Sequence, residues 1–212
     1  LFRPYVTAGR EIVCFSISAG MSTSGNVMRL AAEELGASDR IKVIDSANLS
    51  TGIGLLVIEA AIMAKNNRTA SQIVSEIEKL KPNVRASFVV DTLTYLYRGG
   101  RCNAVAAMAG GVLKLHPRIV VEDGAMNASK KYRGKIASVV MNYVKDMEKD
   151  LKKARPERVF ITHSGCEQET VEKVRAYLKE LDIFDEILET RAGGVVSSHC
   201  GPGTLGVLYI AK

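Results

Sequence analysis

The sequence predicts an α/β protein in two parts. The first is a layered α/β domain with parallel strands, and the second an α+β domain with a mixed or antiparallel sheet. Three observations carry this. Over residues 1–81, continuous β-prone runs alternate with helix-patterned segments, as in βαβ units. After Pro82 the texture changes, and Asp123-Gly124 sits between two strand-like runs as a strong hairpin signal. The chain has 212 residues, 47% hydrophobic and 25% charged, which supplies a sizeable core and excludes disorder.

Leu1 opens the chain in what reads as the tail of a helix. Glu11–Ser18 (EIVCFSIS) reads as a buried parallel strand. Helical pattern follows over Ser24–Leu35, then a second buried-type strand, Lys42–Asp45. After the small, polar stretch Ser46–Gly54, the run Leu55–Lys65 is apolar on nearly every side, which predicts a buried helix. Thr69-Ala-Ser-Gln72 opens a helix over Ala70–Leu80 that Lys81-Pro82 stops. This β-α-β-α-α order predicts a right-handed crossover.

In the second domain, residues 82–212, Ala86–Asp91 reads as a strand, and Arg118–Gly124 turns into Ala125–Tyr132. A long amphipathic helix is predicted over Ile136–Ala154, then strand Arg158–His163, helix Glu167–Leu181, strand Glu186–Arg191 and a Gly-rich strand pair ending at Ile210. The segment Val105–Leu113 is small and apolar; it either lines a tunnel or packs closely. Internal repeats and low-complexity stretches are absent.

Lys plus Arg number 29 against 23 Asp plus Glu, a net +6. The excess is spread over mixed-sign helical faces such as 145–158, and no aromatic residues interleave with the bases, which argues against nucleic acid. Cys14, Cys102, Cys166 and Cys200 show neither CxxC nor zinc-ligand spacing, so no metal is expected and a reducing, cytoplasmic setting fits. The longest apolar stretch, Ile53–Ala64, contains Glu59 and is too short for a span. No secretory signal is seen. Stable membrane insertion is therefore not expected, and transient membrane contact is compatible with the sequence.

Three polar clusters fall where strands end, the usual place for ligands in α/β sheets. Ser16, Ser18, Ser22, Thr23 and Ser24 lie between the first strand and its helix; hydroxyls at a helix N-terminus suit an anion, or simply cap the helix. Asp45-Ser46 with Ser50-Thr-Gly52-Ile-Gly54 reads either as ligand contacts or as a capped helix whose glycines permit close packing; it is neither a Walker loop nor a dinucleotide fingerprint. Ser197-Ser198-His199-Cys200-Gly201-Pro202-Gly203 fixes a histidine beside a rigid turn. Arg98-Gly-Gly-Arg101 is an anion clamp or a solvated turn. A hydrolase would combine Ser22, His199 and Asp45, but Ser24 stands where a nucleophile elbow needs its second glycine.

Taken together, Ser18-Ala-Gly-Met-Ser22, Val43-Ile-Asp-Ser46, Ser50-Thr-Gly-Ile-Gly54, Val90-Asp-Thr-Leu93 with Arg98-Gly-Gly-Arg101, and Ser198-His-Cys-Gly-Pro-Gly203 resemble the DegV family of bacterial fatty-acid-binding proteins, in the family's order and over nearly the whole chain. Departures cluster in the first loop: Thr23, Ser24 and Gly25 replace a usual Gly-Thr-Tyr, and Ala19 replaces a serine. Family members normally begin with a β-α-β segment that would precede Leu1, so the resemblance implies an incomplete first domain. It also implies one long-chain fatty acid in a tunnel between the two domains, with its carboxylate presented to a separate ATP-dependent fatty acid kinase that makes an acyl-phosphate. The chain is then a carrier without a catalytic residue or other cofactor. By matching position, Ser18, Ser22 and His199 contact the carboxylate. Ser24, Ser46, Gly52, Gly54, Arg101 and Gly201 are further head-group or tunnel contacts, and Arg133 meets the kinase or the phosphate. The alternatives are a serine-dependent esterase using Ser22 and His199, and a regulatory or interaction module.

Overall fold

The protein was described from a computed structural model that covers residues 1–101 and 115–212. The segment Val105–Leu113, read above as tunnel lining or close packing, and Cys102 lie outside the described residues. The chain forms two compact units, Leu1–Pro82 and Asn83–Lys212.

In the first unit, helix α1 (Arg3–Thr7) leads into strand β1 (Ile12–Ser16), helix α2 (Ser24–Glu34), strand β2 (Ile41–Asp45), helix α3 (Ser50–Lys65) and helix α4 (Ala70–Leu80). Strands β1 and β2 pair in parallel, Ile12 to Ile41 through Ser16 to Asp45. Ile12, Cys14 and Val43 pack against Ala32, Ala37 and Ile41. Helix α4 shows why its sequence is helical. The Thr69 hydroxyl accepts from Gln72 N at 3.3 Å while Gln72 Oε1 accepts from Thr69 N at 3.0 Å, a reciprocal cap. Ala70, Ile73 and Ile77, at helical spacing, form its buried stripe.

The second unit carries a six-stranded sheet. Its strands are β3 (Val84–Val89), β4 (Leu115–Glu122), β5 (Ala125–Arg133), β6 (Ala154–Ser164), β7 (Glu186–Arg191) and β8 (Thr204–Ala211), in the order β5-β4-β3-β8-β6-β7. Neighbours run antiparallel except β6 and β7, which are parallel. The crossover between those two is helix α8 (Gln168–Glu180), and the other helices are α5 (Thr94–Gly99), α6 (Ile136–Asp146), α7 (Glu148–Leu151) and α9 (Gly194–Cys200). The β4–β5 turn has positive φ at both Asp123 (49°) and Gly124 (75°), the twist-matched hairpin its dipeptide predicts. One sheet face packs Val89, Val159, Ile161, Leu205 and Val207 against Val140, Tyr143 and Val144 of α6 and Val171, Val174 and Leu178 of α8. By register, Ala86, Phe88, Ile119, Val121 and Leu208 share the opposite face, and all five are buried.

Several elements differ from the sequence expectation. Strand β1 stops at Ser16, two residues early. Helix α3 begins at Ser50 rather than Leu55, so Gly52 and Gly54 are helical, and it is not buried all round: Val57 and Ile62 are 41% and 42% exposed. The long helix expected over Ile136–Ala154 breaks at Met147, and Ala154 already pairs with Ala211 in β6. Strand β6 reaches past Pro156 because its register shifts between Ala154 and Val159, and β4 reaches back past Pro117 across a similar irregularity. A proline inside a sheet is tolerated where the ladder is interrupted in this way. Of the expected final strand pair only β8 forms; both its edges are taken by β3 and β6, and residues 194–200 form helix α9. Among the described residues no helix is long and apolar enough to cross a membrane.

Candidate functional site

In the first unit the polar residues gather on two loops leaving the C-terminal ends of β1 and β2. Ser16, Ser18, Ser46 and Asn48 are nearly inaccessible, at 1–4% exposure, so their bonds explain the loop shapes. Ser18 N donates to Asn48 O at 2.9 Å, joining the loops, and Ser18 Oγ accepts from Gly20 N at 3.2 Å. Ser46 Oγ donates to Asn48 O at 3.2 Å and accepts from Asn48 N at 3.1 Å. The Asp45 carboxylate accepts from Ala47 N at 2.9 Å and from Ala19 N at 3.2 and 3.3 Å, a second staple between the loops.

Both helices that follow start without a side-chain cap on their N-cap residues, Thr23 for α2 and Leu49 for α3. Ser22 Oγ accepts from Ser24 N at 3.2 Å and lies 2.7 Å from Ser24 Oγ; both serines are half-buried. Two glycines hold the helices close to the loops. A Cβ on Gly25 would lie 2.8 Å from Ser16 Oγ, and one on Gly52 only 2.0 Å from Asn48 Oδ1. Gly54 has no such demand, its nearest neighbour being Thr51 at 3.8 Å.

In the second unit His199 lies on the last turn of α9 and packs against α5. Its Nδ1 is 2.8 Å from the Val195 carbonyl. The helices meet through a reciprocal pair of glycines. A Cβ on Gly99 of α5 would lie 2.4 Å from His199 Cδ2, and one on Gly201, at φ 79°, would lie 2.2 Å from Tyr95 Cδ2. Arg101 donates through Nη1 to Gly99 O at 2.6 Å. Ser197 Oγ donates to Ala192 O, just before the helix, and Ser198 Oγ to Val195 O within it, so both hydroxyls serve local backbone. Arg133 is exposed on the edge strand β5.

The hydrolase constellation gains no support. Asp45 is engaged by backbone amides, Ser22 by Ser24, and the His199 nitrogen that a triad carboxylate would orient is bonded to a carbonyl of its own helix. Burial pushes the Cys200 thiol up to about 12, and burial with the Glu167 charge does the same to Cys166; Cys14 is raised chiefly by burial. Neutral thiols are poor nucleophiles and metal ligands. Among the described residues no cluster of three or more His, Cys, Asp or Glu side chains could hold a metal. Sequence reasoning missed Asn48 and Tyr95, and it read Gly99 only as part of the Arg98–Arg101 clamp or turn; the packing roles of all three arise across loops and helices.

Comparison with known proteins places these features in context. The whole chain, residues 1–212, matches the DegV family, described as an uncharacterised protein family. A DegV domain-containing protein of Clostridium perfringens is 33% identical over 213 residues, covering 99% of this chain and 72% of the relative. Among solved structures, a DegV family protein from Thermus thermophilus, described in terms of its fatty acid binding, is 26% identical with a TM-score of 0.84, covering 99% of this chain and 75% of that one. DegV from Bacillus subtilis, described as a fatty acid binding protein, is 26% identical with a TM-score of 0.79 over 99% of this chain and 74% of its own.

Proposed function

The chain belongs to the DegV family, and from that premise we propose that it binds one long-chain fatty acid and presents the carboxylate to a separate ATP-dependent kinase. The observation that carries the reading is its similarity, over 99% of its length, to the fatty-acid-binding relatives from T. thermophilus and B. subtilis. In the kinase step a carboxylate oxygen attacks the terminal phosphorus of ATP, the bond from that phosphorus to ADP breaks, and acyl-phosphate and ADP result. The catalytic groups belong to the kinase.

The physics of such a ligand agrees with the reading. Each buried methylene is worth about 0.8 kcal/mol, so a long acyl tail favours a dry apolar site. Its carboxylate then needs donors, because a buried unpaired charge is very costly. Ser18, Ser22 and His199 are assigned to the head group. Ser24, Ser46, Gly52, Gly54, Arg101 and Gly201 shape the surroundings, and the exposed Arg133 is assigned to the kinase or the phosphate. Cytoplasmic location follows from a partner that uses ATP.

Native mass spectrometry of the purified protein, followed by organic extraction, tests this. A stoichiometric adduct that extracts as a long-chain fatty acid is expected, and a bare mass from folded protein overturns the binding. Addition of ATP and hydroxylamine to the loaded protein should give no acyl hydroxamate until a kinase is supplied. Hydroxamate formed by the protein alone overturns the carrier role.

A further inference from the structure

We infer that the acid head group binds this protein together with one proton, shared with Nε2 of His199. This rests on the fatty-acid reading above and concerns the same site. A carbonyl oxygen only accepts, so Nδ1, 2.8 Å from Val195 O, carries the hydrogen. The Ser198 hydroxyl, 3.4 Å from Nδ1, does not change this, because it donates to the same carbonyl at 2.8 Å. In the neutral ring the lone pair is therefore on Nε2. Turning the ring over would set a carbon against Val195 O and forfeit that bond.

Nε2 lies on the edge of the ring that faces Gly99, 3.4 Å from where a Cβ would be, and has no partner among the described residues. A carboxylate brought to a bare lone pair is repelled. It binds once a proton stands between the two, either as imidazolium facing carboxylate or as carboxylic acid donating to Nε2. Both arrangements contain one more proton than the separated neutral imidazole and carboxylate.

The surroundings do not supply that proton. Helix α5, packed against α9, brings Tyr95, Tyr97 and Arg98, and Arg101 follows it with its guanidinium on Gly99 O. The neighbouring Cys200 thiol is neutral, and no carboxylate among the described residues is within ion-pair distance of the ring. The ligand's own charge is therefore what stabilises the added proton. At about pH 8.5 a free fatty acid is a carboxylate and a free imidazole is neutral, so the proton is drawn from solvent.

The test is calorimetric titration of delipidated protein with tetradecanoate, below its micellar concentration, at about pH 8.5 in two buffers of different ionisation enthalpy. One proton taken up per acid bound is expected, with Kd rising about tenfold per pH unit above that pH. His199→Gln, whose amide donates without a proton from solvent, should bind with no proton uptake and a flat pH profile. Binding by the unmutated protein without proton uptake overturns the inference and leaves the fatty-acid reading intact; uptake that persists in His199→Gln removes His199 as its seat. No binding at any pH overturns both. Nitrogen-15 spectra of the His199 ring need no variant: an Nε2–H tautomer in the free protein overturns the inference, and Nδ1–H is expected.

Discussion

Gly52→Ala probes the packing that holds the first-unit loops. The added Cβ would lie 2.0 Å from Asn48 Oδ1 and 2.6 Å from its Cγ, so the Asn48 amide must leave its place. That amide is buried, and Oδ1 accepts from Leu49 N at 3.0 Å. Stranding a buried N–H costs about 1–3 kcal/mol, and forced repacking costs about 1–3 kcal/mol. Against these stands the helix propensity of alanine over glycine, about 1 kcal/mol. The net destabilisation is about 1–5 kcal/mol, and its central value of about 3 kcal/mol lowers Tm by roughly 6–12 °C for a chain of this size. Thermal and urea unfolding of Gly52→Ala, Asn48→Ala and the double variant measure it. Asn48→Ala strands the same Leu49 N–H, at about 1–3 kcal/mol, and makes room for the new methyl, so the double variant should lose about 1–2 kcal/mol less than the sum of the singles. Additive losses, or a Gly52→Ala protein as stable as the parent, would refute the clash as the reason for glycine.

Two further substitutions test the second unit. The fully buried Tyr143 hydroxyl donates to Ser87 O at 2.7 Å and accepts from Val207 N at 3.0 Å, so Tyr143→Phe should cost about 2–4 kcal/mol in urea unfolding. Burial holds that phenol's pKa above its ordinary value, so it is neutral across the neutral range and the loss should not change between about pH 6 and 8; a loss that grows with pH would contradict this. The bond from Arg175 holds the Glu189 carboxyl below its usual range. A depressed carboxyl stabilises the fold above the ordinary carboxylate pKa and loses that contribution as pH falls through the folded value. Arg175→Gln should therefore cost about 1 kcal/mol near pH 7, with the deficit shrinking toward about pH 3; a deficit constant with pH would show that the pair contributes nothing.

The fold was most legible where the signal is local. The Thr69–Gln72 cap and the Ala70, Ile73, Ile77 stripe give α4 its bounds, and Asp123-Gly124 gives the hairpin. Glu186–Arg191 reads as a strand in sequence and is one in the sheet. Legibility failed where the outcome depends on a distant neighbour. Val195 and Val196 have strand propensity, yet β8 is already flanked on both sides by β3 and β6, and the segment is helical. The strands expected from Arg118 and Arg158 start earlier, across Pro117 and Pro156, because the irregularities that admit these prolines are properties of paired strands.

The same distinction divides the candidate site. Ser18, Ser22, Ser46 and His199 stand out in sequence because hydroxyls and an imidazole are chemically conspicuous at strand ends and beside a Gly-Pro-Gly turn. Their bonds, however, are mostly to backbone close in sequence: Ser22 to Ser24, Ser46 to Asn48, His199 to Val195. The residues that fix these groups in place are inconspicuous. Gly99 matters because a ring from α9 occupies the space of its missing side chain, and Tyr95 because Gly201 leaves room for it. A clash of this kind is a property of two helices, so no scan of either helix alone contains it. In the proposed carrier Gly99 leaves the space against which the Cδ2–Nε2 edge of His199 lies. Substitution of Gly99 should therefore alter acid binding through the imidazole's orientation, although this glycine offers no side chain to the ligand.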